Sequence, residues 1–246
     1  VAMATLKKAV LDNKADLGII FDTDVDRAGA VDRKGEEINR NRLIALISAH
    51  LLEDKAGTIV TDSVTSDGLT KFIEEHGGRH HRYMRGYRNV IDECKRLNDA
   101  GEYSPLAVET SGHCAFKDNY FLDDGAYLVT EILIILAGQL KKGKRLADLI
   151  SGLEEPAEAA EIRPEITCED FREYGAKVLE KVKKAAAEIE GAKIAPNNYE
   201  GIRINFDKTH GDGWLLIRMS LHEAILPINV ESNSTGGCKK MVKALL

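Results

Sequence analysis

The stretch Leu17–Asp32 reads LGIIFDTDVDRAGAVD, an apolar run that ends in three alternating aspartates and an arginine. The run "LGIIF" predicts a buried β-strand, and the amphipathic segment "AMATLKKAVLDN" before it predicts a helix. The carboxylates of Asp22, Asp24 and Asp26 repel one another unless a cation sits among them. Oxygen ligands without His or Cys favour Mg²⁺ or Ca²⁺. The sequence therefore predicts a metal site at the end of a strand.

Three further kinds of acidic segment bear comparison with this loop. An EF-hand loop that started at Asp22 would need Gly and Glu where this chain has Arg27 and Arg33, so an EF-hand is excluded. A phosphatase of the haloacid dehalogenase type also ends an apolar strand in D-x-D, with Asp22 as the nucleophile. The "LDDG" at 122–125 resembles its later metal-binding acids. This phosphatase and a solvated acidic turn both remain open at this point.

The composition of the chain limits its partners. The 246 residues carry a net charge of −6, which argues against a general nucleic-acid or anionic-membrane partner. Four cysteines without a C-x-x-C pair indicate reduced thiols in a cytoplasmic protein. The longest apolar run, "ILIILAG", is too short to span a bilayer. We therefore expect a cytoplasmic protein without a general nucleic-acid or membrane partner.

The order of the predicted elements indicates two kinds of domain. Strands and helices alternate through "NRLIALISAHLLED", "GTIVTDS", "SDGLTKFIEEHG", "RHHRYM", "NVIDECKRLNDAG", "PLAVET" and "DDGAYLVTEILIILAGQLKKG". The stretch "GLEEPAEAAEIRPEI" predicts a linker, after which a long helix, three strands and a closing helix follow. The sequence predicts an α/β layered domain, a mixed sheet with helices on both faces, followed by a small α+β C-terminal domain. No strand precedes the first helix, so we expect the chain to be the C-terminal part of something longer, with a fold that begins with a helix as the alternative.

A second polar group follows the strand "PLAVET". Glu109, Ser111 and His113 alternate along the chain, so an extended backbone would point all three side chains the same way. A carboxylate, a hydroxyl and an imidazole on one edge suit a polyhydroxylated ligand, and the imidazole can move a proton. No G-x-S-x-G surrounds Ser111, which argues against a serine hydrolase. A polar loop without a ligand remains the alternative.

A third polar group lies at a strand exit in "LIRMSLHEAILP". Arg218, Ser220, His222 and Glu223 gather there. A guanidinium, a hydroxyl and loop backbone N–H groups suit a phosphate dianion. An ordinary surface strand end is the alternative.

Taken in order, the three motifs resemble those of the α-D-phosphohexomutases, the phosphoglucomutase and phosphomannomutase group. The family's metal loop D-x-D-x-D-R matches "DTDVDR", and its sugar loop G-E-x-S-G-H matches "VETSGH" with Val108 in place of the first Gly. The family's phosphate loop R-x-S-x-T-E-P matches "RMSLHEA" except at Leu221, His222 and Ala224. The segment "RGYRNVIDE" stands where the family has another substrate loop.

The resemblance implies the C-terminal half of a four-domain enzyme. Residues 1–36 would be the C-terminal part of a second α/β domain that carries the metal loop. Residues 37–160 would be a third α/β domain with the sugar-recognition loop, and 161–246 a fourth, α+β domain with the phosphate-binding loop. The family's phosphoserine lies in the first domain, which would precede Val1. We therefore expect this chain alone to be inactive.

The resemblance also assigns roles to particular residues. The expected residues are Asp22, Asp24 and Asp26 for the metal, Arg27 and His113 for catalysis, and Glu109, Ser111, Arg218, Ser220, His222, Tyr87 and Arg88 for the substrate. The expected metal is one Mg²⁺, and a hexose 1,6-bisphosphate is expected as activator and intermediate.

The implied activity is the interconversion of hexose 1-phosphate and hexose 6-phosphate, with glucose or mannose as the sugar. The expected partners are sugar phosphates and the missing N-terminal domains of the same protein, with neither nucleic acid nor membrane. Two alternatives stay open, namely the phosphatase with Asp22 as nucleophile and a non-catalytic module that binds sugar phosphates.

Overall fold

The computed structural model describes residues 2–220 and 223–245. The chain divides into two compact units, Val1–Glu154 and Glu155–Leu246, each with its own hydrophobic core. The division into three domains that the sequence predicts stays a prediction.

The first unit begins with a helix and a small antiparallel sheet. Helix α1 (Ala2–Asn13) precedes strands β1 (Leu17–Phe21), β2 (Ala28–Asp32) and β3 (Glu37–Ile38), which pair in that order. Helix α1 and strand β1 have the bounds that the sequence predicts, whereas β2 and β3 were not predicted. Since β1 and β2 form a hairpin, the acidic loop lies at the tip of that hairpin.

The rest of the first unit is an α/β layer. Its sheet has the order β5-β4-β6-β7, in which β5, β4 and β6 are parallel and β7 is antiparallel. Two short 3₁₀ helices, Lys117–Asn119 and Leu146–Ile150, flank the last helix. The elements are α2 (Arg40–Asp54), β4 (Thr58–Thr61), α3 (Asp67–Glu75), β5 (Arg79–Arg82), α4 (Tyr87–Asp99), β6 (Leu106–Val108), β7 (Cys114–Phe116) and α5 (Gly125–Lys141).

Helices cover both faces of this mixed sheet, which confirms the predicted fold class. Neighbouring residues of a strand point to opposite faces. Ile59 belongs to the core cluster that includes α2, α3 and α5, whereas Val60 belongs to the cluster that includes Val90 and Cys94 of α4. Both strand residues are fully buried, so each face carries a dry core. Because β5, β4 and β6 are parallel, their carboxyl ends lie at one edge of the sheet, and the loops that follow these strands lie there too.

The second unit is a five-stranded antiparallel sheet with two helices. Its order is β8-β12-β11-β10-β9, and the apolar residues of one face pack on the helices. The elements are β8 (Glu158–Ile162), α6 (Phe171–Glu188), β9 (Ala192–Ile194), β10 (Ile202–Phe206), β11 (Gly213–Ile217), β12 (Ile228–Ser232) and α7 (Gly237–Leu245). The predicted α+β domain is therefore confirmed.

The linker prediction for "GLEEPAEAAEIRPEI" is wrong in its middle. Residues Glu158–Ile162 pair with β12 as an edge strand. Most of this strand is exposed, so it lacks the apolar alternation by which a strand is recognised in a sequence. The carboxylate of Glu158 also accepts from the backbone N–H of Gly236 (2.6 Å) and of Cys238 (3.3 Å), at the start of α7. An edge strand of this kind is held by its backbone and its caps rather than by a buried face.

None of the helices in the described part of the chain is long and apolar enough to cross a bilayer.

Candidate functional site

The metal loop, Asp22–Arg27, brings its three carboxylates together. Oxygen atoms of Asp22, Asp24 and Asp26 lie within 4.8 Å of one another. Asp26 Oδ1 is buried, has no hydrogen-bond partner among the residues that the structure describes, and lies 3.6 Å from Arg27 Nε. A buried carboxylate oxygen without a hydrogen bond, in an oxygen-only donor set, fits a hard divalent cation such as Mg²⁺.

Arg27 closes the metal loop on Asp22. Its Nε donates to Asp22 Oδ2 (2.6 Å), and its backbone N–H donates to Asp22 Oδ1 (3.2 Å). Partial desolvation raises the pKa of Asp22, but these hydrogen bonds outweigh it, and the pKa lies below its usual value. Burial, with the charges of Asp22 and Asp24 adding to it, raises the pKa of Asp26 despite the opposing charge of His113. The loop therefore holds one carboxylate firmly ionised beside one that a cation would favour in its ionised form.

The first turn of α5 packs against the backbone of the metal loop. Gly125 donates its N–H to the carbonyl of Val25 (3.1 Å), a residue held at φ +65°. A Cβ on Gly125 would lie 2.6 Å from that carbonyl oxygen. Real Cβ atoms do not approach a backbone oxygen so closely, so this position needs glycine.

His113 lies beside the metal loop, between two carboxylates. Its Nδ1 is 2.7 Å from Asp123 Oδ2 and 3.6 Å from Asp26 Oδ2. Burial lowers the pKa of His113, but the hydrogen bond and the charges of these two acids outweigh it and raise the pKa overall. Since an ionised carboxylate only accepts, Nδ1 carries the proton that bonds Asp123. Asp123 thereby fixes the imidazole, and its second oxygen accepts from the N–H of Cys114 (3.1 Å).

The sugar hairpin, Glu109–His113, is a tight turn between β6 and β7, so the condition of an extended backbone, under which its three polar side chains would point the same way, is not met. Glu109 N–H donates to the carbonyl of His113 (2.9 Å), and Gly112 sits at φ +102° in the turn. Glu109 and Ser111 nevertheless come together, because Ser111 Oγ donates to Glu109 Oε2 (3.1 Å). The other oxygen of Glu109 accepts from Gly86 N–H (2.6 Å).

The hairpin and the metal loop are neighbours in the first unit. Arg27 and His113 form an isolated antiparallel β-bridge. The residues that line a cavity of about 400 Å³ include Asp22 and Arg27 of the metal loop and Thr110 and Ser111 of the sugar hairpin. The first two motifs of the sequence analysis therefore meet at one place in the fold.

Tyr87 and Arg88 open helix α4 next to His113. The ring of Tyr87 stacks on the imidazole with centroids 5.1 Å apart, and Arg88 Nε donates to Tyr87 OH (3.1 Å). Both side chains are exposed. Tyr87 thus covers one face of His113, while Arg88 contacts Tyr87.

The phosphate loop, residues 218–224, follows β11 in the second unit. Arg218 Nη1 lies 3.4 Å from Glu200 Oε1, and Ser220 Oγ accepts from Glu223 N–H (3.2 Å). Glu223 Oε2 accepts from Arg163 Nη2 (2.6 Å). The predicted site residue His222, together with Leu221, lies outside the described residues. The carboxylate of Glu200, which precedes β10, therefore faces the guanidinium that was expected to bind phosphate.

Two carboxylates that support the site, Asp123 and Asp62, were not predicted as site residues. In the sequence Asp123 stands out only as part of "LDDG", where it resembles an acid of a phosphatase. Its neighbour Asp124 caps α5 by accepting from Tyr127 N–H (2.9 Å). Asp62, fully buried at the end of β4, accepts from Thr110 Oγ1 (2.7 Å) within the sugar hairpin. The apolar-to-acidic step in "TIVTDS" was the one available signal for Asp62, and it has no motif around it.

Comparisons with known proteins agree with the motifs. A family model described as phosphoglucomutase/phosphomannomutase, alpha/beta/alpha domain III, matches residues 39–156. A phosphomannomutase/phosphoglucomutase of Pseudomonas syringae is 30% identical over 92% of this chain and 45% of its own length. A phosphoglucosamine mutase of Limosilactobacillus fermentum is 30% identical over 93% of this chain and 45% of its own length. The chain thus spans less than half the length of these relatives.

The fold gives the same answer. The crystal structure of a phosphoglucomutase/phosphomannomutase family protein from Burkholderia thailandensis superposes with a TM-score of 0.80 at 25% identity. That match covers 99% of this chain and 48% of the other. These similarities do not favour the phosphatase or the non-catalytic module. With the metal loop and the sugar hairpin side by side in its first unit, the chain belongs to the α-D-phosphohexomutase family.

Proposed function

We propose that this chain carries the metal, sugar and phosphate loops of an enzyme that interconverts hexose 1-phosphate and hexose 6-phosphate. The reaction passes through a phosphoserine and a bisphosphorylated sugar, and the phosphoserine comes from sequence outside these 246 residues. The observation that carries the proposal is the meeting of the acidic loop and the E-x-S-G-H hairpin around one cavity. A hexose 1,6-bisphosphate then serves as activator and intermediate.

Asp22, Asp24 and Asp26 would hold one Mg²⁺, which neutralises negative charge on a transferring phosphoryl group when bound. Arg27 adds a fixed positive charge to the same loop. Its bond to Asp22 orients it, and its side chain stays partly exposed, so it can reach a phosphoryl oxygen.

His113 is the proton-transfer group of this proposal. Asp123 holds its Nδ1, which leaves Nε2 to give or take a proton at a sugar hydroxyl. The stacked ring of Tyr87 restricts the rotation of the imidazole. Nδ1 is thereby kept for orientation and Nε2 for chemistry.

Glu109 and Ser111 bind sugar hydroxyls, with Tyr87 and Arg88 as further substrate contacts. Glu109 is held by Gly86 N–H and by the Ser111 hydroxyl, so its carboxylate is in place before a ligand arrives. Preorganised acceptors bind hydroxyl groups at a low entropic cost.

Arg218 and Ser220 bind the phosphate that does not react, and His222 is assigned to the same role. A guanidinium with a hydroxyl gives charge and direction to a phosphate contact. Such remote binding energy positions the reacting end of the substrate.

The proposed substrate class is hexose phosphates, and the sugar is glucose, mannose or glucosamine. The last is included because one of the 30%-identical relatives is a phosphoglucosamine mutase.

The phosphatase alternative can be tested on the chain itself. The 246-residue chain is incubated with glucose 1-phosphate and Mg²⁺, and inorganic phosphate is measured. We expect no release, because Asp22 is bonded by Arg27 and has no role as a nucleophile in the proposed reaction. Release that disappears in Asp22→Asn would make Asp22 a nucleophile and overturn the proposal.

A further inference from the structure

Asp62 is a buried carboxylate that the proposed reaction does not use. It follows β4 at the edge of the sheet where the loops of β5 and β6 also lie, and its side chain is fully buried. Its Oδ2 accepts from Thr110 Oγ1 (2.7 Å) and lies 3.8 Å from Arg85 Nε. Its Oδ1 has no hydrogen-bond partner among the described residues. Burying a carboxylate costs free energy unless hydrogen bonds or a paired charge offset the loss of hydration.

The contacts of Asp62 join the three loops that follow the parallel strands. Thr110 stands in the hairpin between Glu109 and Ser111, the two residues proposed to bind the sugar. Arg85 precedes Gly86, whose N–H donates to Glu109 Oε1 (2.6 Å). The hydroxyls of Thr61 and Thr65 bond the carbonyl of Asp62 (both 3.2 Å) and fix its own backbone.

We propose that Asp62 is a positioning residue which, through Thr110 and Arg85, holds the sugar hairpin in the conformation that binds the substrate hydroxyls. The inference rests on the proposed function for its ligand but not for its geometry. Without the Thr110 contact the two backbone hydrogen bonds of the hairpin, from Glu109 N–H to His113 and from Gly112 N–H to Glu109, open more often. The side chains of Glu109 and Ser111 then lose their common support. The expected defect is therefore in substrate binding rather than in phosphoryl transfer.

Burial raises the pKa of Asp62 to about 6, the charge of Glu109 acts in the same direction, and Thr110 and Arg85 oppose them. Asp62 is therefore ionised at neutral pH while buried beside another acid. The contacts with Thr110 and Arg85 stabilise the ionised carboxylate against burial and against the charge of Glu109. This stabilisation agrees with a positioning role for Asp62.

The test uses the full-length gene product and steady-state kinetics with glucose 1-phosphate. Thr110→Val removes the hydroxyl at almost constant volume, and we expect KM to rise about threefold to tenfold with kcat changed less than twofold. Thr110→Ser restores the hydroxyl and should return KM to within twofold of the wild type. Asp62→Asn combined with Thr110→Val should raise KM by less than the product of the two single effects, because both changes remove the same bond between Asp62 and Thr110.

The matched control is Asp32→Asn. Asp32 is also a buried carboxylate of the first unit, but its Oδ1 bonds the backbone N–H groups of Lys34 and Glu36 (both 2.9 Å), away from the hairpin. A KM that stays within twofold of the wild type in Thr110→Val would overturn the inference. So would an equal rise in Asp32→Asn, because the effect would then be one of general stability.

Amide hydrogen exchange on the wild type and Thr110→Val gives a readout that needs no activity. We expect faster exchange at Glu109 and Gly112, whose N–H groups close the hairpin, and unchanged exchange in α4 beyond its first turn. Unchanged exchange at both amides would contradict the inference even if the wild type proves inactive. Inactivity of the wild type with faster exchange in the variant would instead count against the proposed function alone.

Discussion

The loops of the first unit and the phosphate loop of the second unit differ in what holds their charged side chains. In the first unit, Glu109 is held by a backbone N–H, Asp22 by the N–H and guanidinium of Arg27, and His113 by Asp123. In the second unit, Arg218 faces Glu200 at 3.4 Å. The first arrangement leaves its ligand groups oriented and available. The second already satisfies part of the charge that a phosphate would meet, so phosphate must compete with a carboxylate there.

The largest effect that this comparison predicts is at the metal loop. Asp24→Asn removes one charge from three clustered carboxylates, and we expect the Mg²⁺-dependent kcat of the full-length gene product to fall by about 100-fold or more. Asp16→Asn, an exposed acid beside β1 that pairs with Arg33, should keep full activity. The measurement is kcat against Mg²⁺ concentration. Full activity in Asp24→Asn would remove the metal assignment.

The next effect concerns the pH dependence of stability. Folding raises the pKa of Asp62 from 3.8 to about 6, so the folded state favours the protonated carboxyl. The stability that this preference contributes is fully present below about pH 4 and is lost as the pH rises through 6. This corresponds to about 3 kcal/mol as an order of magnitude. Asp62→Asn stays neutral and should lose correspondingly less stability between pH 4 and pH 7.

Urea unfolding at the two pH values checks this on the wild type, Asp62→Asn and the control Asp32→Asn. Equal losses of unfolding free energy in the wild type and Asp62→Asn would show that ionising the buried carboxylate of Asp62 does not destabilise the fold. The contrast between the two units would then weaken.

At the phosphate loop the expected effect is on substrate binding. Arg218→Ala removes a charged hydrogen-bond donor, and we expect KM for sugar phosphates to rise about tenfold to a hundredfold. Arg172→Ala, an exposed arginine on α6, is the control and should leave KM unchanged. Steady-state kinetics on the full-length gene product decide the matter. Unchanged kinetics in Arg218→Ala would place the phosphate contact elsewhere.

A smaller effect tests the support behind the metal loop. Gly125→Ala places a Cβ against the Val25 carbonyl, and we expect the free energy of unfolding to fall by about 2 kcal/mol. Gly138 lies in the same helix with nothing within 4 Å of its virtual Cβ, so Gly138→Ala should be neutral or stabilising by up to about 1 kcal/mol. Urea denaturation of both variants gives the comparison. Equal stability of Gly125→Ala and Gly138→Ala would mean that α5 does not pack tightly against the metal loop at Gly125.

The smallest effect tests the competition at Arg218 directly. Glu200→Gln removes the facing charge, and we expect KM for sugar phosphates to fall about threefold because phosphate no longer displaces a carboxylate. Glu190→Gln, an exposed acid between α6 and β9, should change nothing. A rise in KM would show instead that Glu200 orients Arg218, and the two regions would then be held by the same principle.

The sequence was enough for the parts of the site that carry a local pattern. The alternating aspartates after "LGIIF" come together in the structure, and His113 of the E-x-S-G-H core lies 3.6 Å from Asp26. The fold class followed from the alternation of strands and helices. The hairpin turn did not follow, because the alternation of Glu109, Ser111 and His113 equally fits an extended strand. The positive φ of Gly112 and the hydrogen bond from Glu109 N–H to His113 show the turn in the structure.

The supporting residues could not be read from the sequence because their roles arise from packing. Asp123 contacts His113 only once β7 has turned back on β6, and Asp62 meets Thr110 across two strands of a sheet. Neither contact has a characteristic spacing along the chain. The edge strand β8 was missed for a related reason, since it pairs through its backbone and buries little.

The most direct measurement of the central claim is turnover by the full-length gene product beside the 246-residue chain alone. Glucose 1-phosphate and mannose 1-phosphate are supplied with Mg²⁺ and a trace of the hexose 1,6-bisphosphate, and formation of the 6-phosphates is followed. The predicted result is conversion by the full-length protein and none by the 246-residue chain. The ratio of the rates with glucose 1-phosphate and with mannose 1-phosphate identifies the preferred sugar. Binding of the sugar phosphates by the full-length protein without any conversion would contradict the account and leave a non-catalytic binding module.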